Sequence, residues 1–420
     1  MTAPPVPSLA IPHQADSRYA AMRLLVTLLL MTLGSSGMYV VSVVLPSVQA
    51  DFGIARADAS LPYTLLMIGF GVGGVAMGRL ADRVGVMWPL LIGAVSLGVG
   101  YVACSMATGI VTFAIAQGLL VGLLGAGAAF APLIADTSLW FVKRRGIAVA
   151  VCASGNYLAG AIWPPIVQHF VEVVGWRQTY LGMGLFCGVA MAALALLMRP
   201  RPPVAVAAAT GAVRRMANAD PQRPFGFSPA VAQGLLCIAG VACCVAMAMP
   251  QVHIVAYCGD LGYGAARGAQ MLSLMLACGI VSRLVSGAIC DRIGGLGTLL
   301  LGSALQGVAL LLFLPFDGLA SLYAISALFG LFQGGIVPSY AIIVREHFAP
   351  AEVGARVGTV LMCTLLGMAL GGWMSGKVFD LTGSYHAAFV NGIAWNLLNL
   401  SIAGMLWYRT RAVRATAFAS

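Results

Sequence analysis

The chain has 420 residues, of which 60% are hydrophobic and only 9% charged; its formal net charge is +10 and its mean hydropathy +0.94. A water-soluble domain carries about a quarter of its residues as charges, so this composition excludes a soluble enzyme or binding module and leaves a chain that lies mostly in lipid. The basic residues do not cluster with aromatics, which argues against nucleic acid as a partner.

Residues 1–21 are rich in proline and polar groups, without the basic start, short apolar stretch and small-residue site of a signal peptide; they read as a disordered cytoplasmic tail. Apolar runs near 22–48, 61–81, 88–107, 111–136, 146–171 and 178–198 follow, each about the 20 residues that a helix needs to cross a bilayer. Residues 199–228 are the one long polar segment, with Pro200, Pro202, Pro203, Arg214, Arg215, Pro221, Arg223 and Pro224, and read as a cytoplasmic linker. Six more runs lie near 229–257, 268–291, 296–315, 319–345, 353–377 and 385–408, and 409–420 form a cytoplasmic tail. Long uniform runs exclude a barrel, whose strands are short and alternating. The fold class is all-α: twelve transmembrane helices in two six-helix bundles, 22–198 and 229–408.

Of the 23 basic residues, Arg56, Arg177, Arg267 and Lys377 fall on one side of these spans and Arg283 falls within one; the rest share the side of both termini. By the positive-inside rule both termini are cytoplasmic, in a multi-pass protein of the cell (inner) membrane. The ten cysteines sit in or beside apolar spans and read as small buried hydrophobes, not as a disulfide framework or metal ligands.

An internal repeat supports the division into halves. GRLADRVG, from Gly78 to Gly85, closes the second span, and GAICDRIG, from Gly287 to Gly294, closes the eighth; Gly146, opening span five, matches Gly354, opening span eleven, at nearly the same offset. In each copy the glycine reverses the chain. Asp82 and Asp291 are placed to accept from a neighbouring helix N-terminus, and Arg83 and Arg292 to pair with an acid across the halves, as a conformational latch.

Arg283 lies eight positions before Asp291, roughly 12 Å inside the helix at 1.5 Å per residue, too deep for easy snorkelling. Its guanidinium presents a donor fork that fits a carboxylate, while the acids of the second half, Asp291, Asp317, Glu346, Glu352 and Asp380, lie at span ends or in loops. His253, three residues after a helix-kinking Pro250, is the candidate for the second carboxylate oxygen. Asn156, Tyr157, Gln333, Tyr340 and Tyr39 are further candidates for the cavity wall, each equally able to join helices by hydrogen bonds. Asp136 is expected to pair with Arg79, Arg144 or Arg345. Met247, Met249, His253, Cys243 and Cys244 raise a soft-metal alternative such as copper, and cationic drug efflux would need a buried carboxylate. Nucleotide-binding and hydrolase motifs are absent, so neither an enzyme nor a cofactor is expected.

The G-x-x-x-D-R-x-G element resembles the signature of the major facilitator superfamily, although Val86 stands where a second basic residue commonly follows. VHIVAYCGDLG, SRLVSGAICDRIGG and WFVKRRGIAVAVCASGNYLAG narrow the resemblance to monocarboxylate transporters and the oxalate/formate antiporters, over nearly the whole chain. The resemblance implies the major facilitator fold, a small carboxylate as substrate bound by Arg283, and rocker-switch alternating access as a monomer among lipids, by proton symport or by anion exchange. Animal members of that family carry an aspartate where this chain has Gly279 and a lysine in the first helix, which is missing here. The lysine that oxalate carriers place in helix eleven is also absent, and one fixed cation favours a monoanion.

Overall fold

The computed structural model describes residues 15–141, 145–200, 223–349 and 352–419. Most of the linker and part of the N-terminal tail, which carry sequence expectations, lie outside these ranges. Among the described residues the structure is helical and contains no strand. Eleven helical runs among the described residues are long and apolar enough to cross a membrane. One of them, Ala265–Leu312, has 48 residues and would measure about 72 Å unbroken, more than two bilayer cores. It breaks at Gly294, whose φ of 79° favours glycine, and so supplies two spans.

The twelve helices are α1 (Arg18–Phe52), α2 (Arg56–Val84), α3 (Met87–Ser105), α4 (Ile110–Trp140), α5 (Gly146–Val174), α6 (Trp176–Leu196), α7 (Pro229–Asp260), α8 (265–293), α9 (295–312), α10 (Leu319–His347), α11 (Val353–Thr382) and α12 (Tyr385–Arg411). Helix continues past the last of these spans to Ala419, where a tail was expected. The first helix likewise begins at Arg18, inside the expected tail, because Ser17 caps it by accepting the Ala20 N–H at 3.2 Å. Ser228 caps α7 in the same way, with Pro229 at the first helical position.

Burial separates inner from outer helices and repeats between the halves. Every residue from Leu30 to Leu45 in α1 and from Ala242 to Cys258 in α7 is buried, so each half builds around its first helix. Leu185, Phe186 and Val189 on α6, and Leu301, Val308 and Leu311 on α9, expose their side chains as a lipid-facing surface requires. Gly85, with φ 91°, ends α2 as Gly294 ends α8, so the repeated motif makes the same turn twice.

Two expectations about charge are corrected here. Asp136 pairs with Arg23 of α1, through Nε and Nη2 at 3.0 Å each, and not with Arg79 or Arg345; Arg144 lies outside the described residues. Arg23 is only 3% exposed, so Arg283 is not the one cation within the helices. Removing either member of such a pair would strand a charge in an apolar medium, which is why the two occur together.

Candidate substrate cavity and the closed side opposite it

A cavity of about 1120 Å³ lies between the halves. Tyr39 of α1, Asn156 and Tyr157 of α5, Gln251 of α7 and Arg283 of α8 line it. Toward one end the wall passes to Ala135, Ser138, Arg345 and Val353, where α4 and α10 finish and α11 starts, on the side of the described chain ends. The cavity is open on that side.

Arg283 is held by its neighbours without being neutralised. Nη1 donates to the Ala153 carbonyl at 2.9 Å, and the guanidinium lies 4.2 Å from the centre of the Tyr157 ring. Among the described residues it has no acid partner, its Nε is buried without an acceptor, and Nη2 makes no hydrogen bond. Tyr157 reaches this position because α8 has no side chain at residue 279: a Cβ there would stand 2.7 Å from the ring's Cε1. The space over Gly279, where animal members of the resembled family carry an aspartate, is therefore occupied by the tyrosine of the other half. Arg345 is the second cation of the wall, and no carboxylate lines the cavity among the described residues.

Four of the seven candidate residues, Arg283, Tyr157, Asn156 and Tyr39, meet in this cavity. The Tyr39 hydroxyl donates to Asn156 Oδ1 at 2.8 Å, and Asn156 Nδ2 in turn faces Ser35 Oγ at 3.3 Å and the Met38 sulfur at 3.1 Å. The other three do not line the cavity. Gln333 lies one layer behind, accepting from Gln251 Nε2 at 2.8 Å, and Tyr340 donates to Asn399 Oδ1 at 3.0 Å inside the second half. His253 is fully buried beyond the cavity, with Nε2 2.8 Å from the Gly372 carbonyl. A carbonyl only accepts, so Nε2 carries the proton and Nδ1 faces the Tyr385 hydroxyl at 3.4 Å. His253 therefore does not join Arg283 at one anion.

What His253 joins is the closed side of the molecule. There Arg56, at the start of α2, sends Nη1 and Nη2 to Asp260 of α7 at 2.9 and 3.3 Å, and Nη1 to the Tyr385 hydroxyl of α12 at 2.5 Å. Its guanidinium also lies 4.6 Å from the Phe379 ring centre. Asp380 of α11 accepts the first two N–H groups of α2, from Arg56 at 2.9 Å and Ala57 at 2.8 Å, so one half caps a helix of the other. Beside it, a Cβ on Gly376 would meet the Ala57 Cα at 3.0 Å, which measures how tightly the halves close here.

Sequence reasoning placed the latch on the opposite side, in the repeated motif. Gly78, Asp82, Arg83 and Gly85 lie at the open end, and Asp82 and Arg83 are exposed with no ion pair among the described residues. In the second copy, Gly287, Asp291, Arg292 and Gly294, the N-terminus of α9 is instead capped by Glu346, which accepts the Gly295 N–H at 3.2 and 3.4 Å. Arg56, Asp260, Asp380 and Tyr385 were missed because each reads as an ordinary helix-end residue; the one hint was that Arg56 belongs to the few cations on the sparsely charged side.

The profile of the Major Facilitator Superfamily matches residues 27–322. Monocarboxylate transporter 13 of Rattus norvegicus is 26% identical over 334 residues, covering 79% of this chain and 75% of its own length. The MFS-type transporter pynF of Aspergillus niger is 25% identical over 322 residues, covering 76% and 72%. Among solved structures, a bacterial homolog of the human lysosomal transporter Spinster, in an inward-facing and unoccupied conformation, superposes with a TM-score of 0.68 at 14% identity, covering 94% of this chain and 98% of that one. Twelve apolar helices in two repeated halves, a cavity between them and a profile match over most of the length agree: the chain belongs to the Major Facilitator Superfamily, a family of multi-pass membrane transporters.

Proposed function

We propose that this chain is a secondary transporter of organic monocarboxylates, working by rocker-switch alternating access between its two halves in the cell (inner) membrane. The observation that carries the reading is Arg283: a cation in the cavity wall, oriented by Ala153 and Tyr157, with no acid partner among the described residues. A fixed guanidinium of this kind lacks only an anion, and a carboxylate fits its fork. The two cations of the wall, Arg283 and Arg345, and the lack of a lining acid among the described residues favour an anion over a cationic drug. One deep cation favours a monoanion over oxalate.

In this reading the open end faces the cytoplasm, and the cluster around Arg56 is the gate that must part before the cavity opens outward. The names of the animal relatives support a monocarboxylate as the substrate; the coupling in this reading is proton symport or anion exchange. Uptake into proteoliposomes under an imposed pH gradient tests the proposal. A charge-assisted contact contributes about 1.5–3 kcal/mol, so Arg283→Ala is expected to lose about ten- to hundredfold in carboxylate affinity. Uptake at the wild-type rate and affinity would remove the anchor.

A further inference from the structure

The wall around Arg283 is more specific about the substrate's body than about its charge. Met38, Met67, Phe70, Met247, Met362 and Met368 contribute to it from α1, α2, α7 and α11, on both halves. The polar side chains between them largely satisfy one another: Tyr39 donates to Asn156, Asn156 to Ser35 and Met38, and Gln251 to Gln333. Met38 itself touches Asn156 at 3.1 Å, so the apolar surface starts among the polar residues of the site and is not confined to the mouth. Methionine side chains are unbranched and polarizable and adapt to irregular apolar shapes, including aromatic faces.

A two- or three-carbon acid would meet Arg283 and leave this wall against water when the halves close. A carboxylate attached to a ring or a branched chain would cover it. The cavity, at about 1120 Å³, has room for such a body. Resting on the reading of Arg283 as the carboxylate anchor, we infer that the substrate is a monocarboxylate with a bulky apolar body, aromatic or branched, and not a short hydrophilic acid. The arginine takes the charge, and the methionines take the shape.

The experiment is a titration of the purified full chain with acetate, phenylacetate, indole-3-acetate and the neutral phenylacetamide, followed by calorimetry. Burial of one ring corresponds to about ten- to hundredfold in affinity. Phenylacetate and indole-3-acetate are expected to bind at least tenfold tighter than acetate, with phenylacetamide far weaker, and Met247→Gln is expected to narrow the ratio of phenylacetate to acetate. Acetate binding as tightly as phenylacetate in the wild-type protein would overturn the inference and leave the anchor standing. Phenylacetamide binding as well as phenylacetate, or no saturable binding of any of the three acids, would overturn the anchor and the inference together.

Discussion

Tyr157 and Gly279 show how one missing side chain shapes the anion site. The tyrosine ring stacks against Arg283 and fills the space over Gly279, where even a methyl group would come within 2.7 Å of it. Overpacking of this kind typically costs about 1–3 kcal/mol, so Gly279→Ala is expected to displace the ring and weaken substrate binding. Tyr157→Ala should make that substitution harmless in the double variant, and a double-mutant cycle on binding affinity reads the coupling directly; additive effects would show that the two do not meet. Arg283 was legible from sequence because a charge within an apolar run has few explanations. His253 was assigned to the cavity wrongly for a physical reason: α7 is buried on all faces from Ala242 to Cys258, so its pattern does not tell which face looks at the substrate. Asp136 was misassigned similarly, since its partner Arg23 sits at the edge of an apolar run and reads as a terminal charge.

At the level of helices, the closed side depends on the first turn of α2. Asp380 caps two of its N–H groups, and Arg56 ties it to α7 and α12. A hydrogen bond to a charged group contributes about 1.5–3 kcal/mol, and 1.4 kcal/mol is a tenfold shift in a two-state equilibrium. Asp380→Asn is therefore expected to move the population about tenfold or more toward opening on this side. Ala135→Cys, at the exposed mouth, reports it: labelling by an impermeant thiol reagent from the side of the chain ends should slow when Asp380→Asn is added. An unchanged rate would mean that the cap does not hold the gate. Beyond the placing of Arg56 on the sparsely charged side, none of this could be read from the sequence, because the gate pairs residues from α2, α7, α11 and α12 that only the docking of the halves brings together. The repeated glycine turns were legible, since Gly85 and Gly294 both adopt the positive φ that the motif requires.

For the whole molecule, the two halves reuse one plan, with α1 and α7 as buried centres and the cavity between them. The two related halves with a site between them were visible in the repeat, which depends, like the distribution of basic residues, on local sequence and not on packing. The same distribution predicts orientation. Protease-cleavable tags at both ends are expected to be cut in inside-out vesicles and spared on intact cells; cutting on intact cells would invert the topology, and with it the side to which the cavity opens.

The contact between Gly279 and Tyr157 also constrains how such a carrier can diverge. An acid at position 279 and an aromatic roof over Arg283 cannot share the same space. A lineage passing from one arrangement to the other must change both halves of the protein, and either single step leaves an intermediate with a crowded or an uncovered arginine. A related sequence that has the glycine is therefore expected to keep the tyrosine with it, which an alignment of relatives checks.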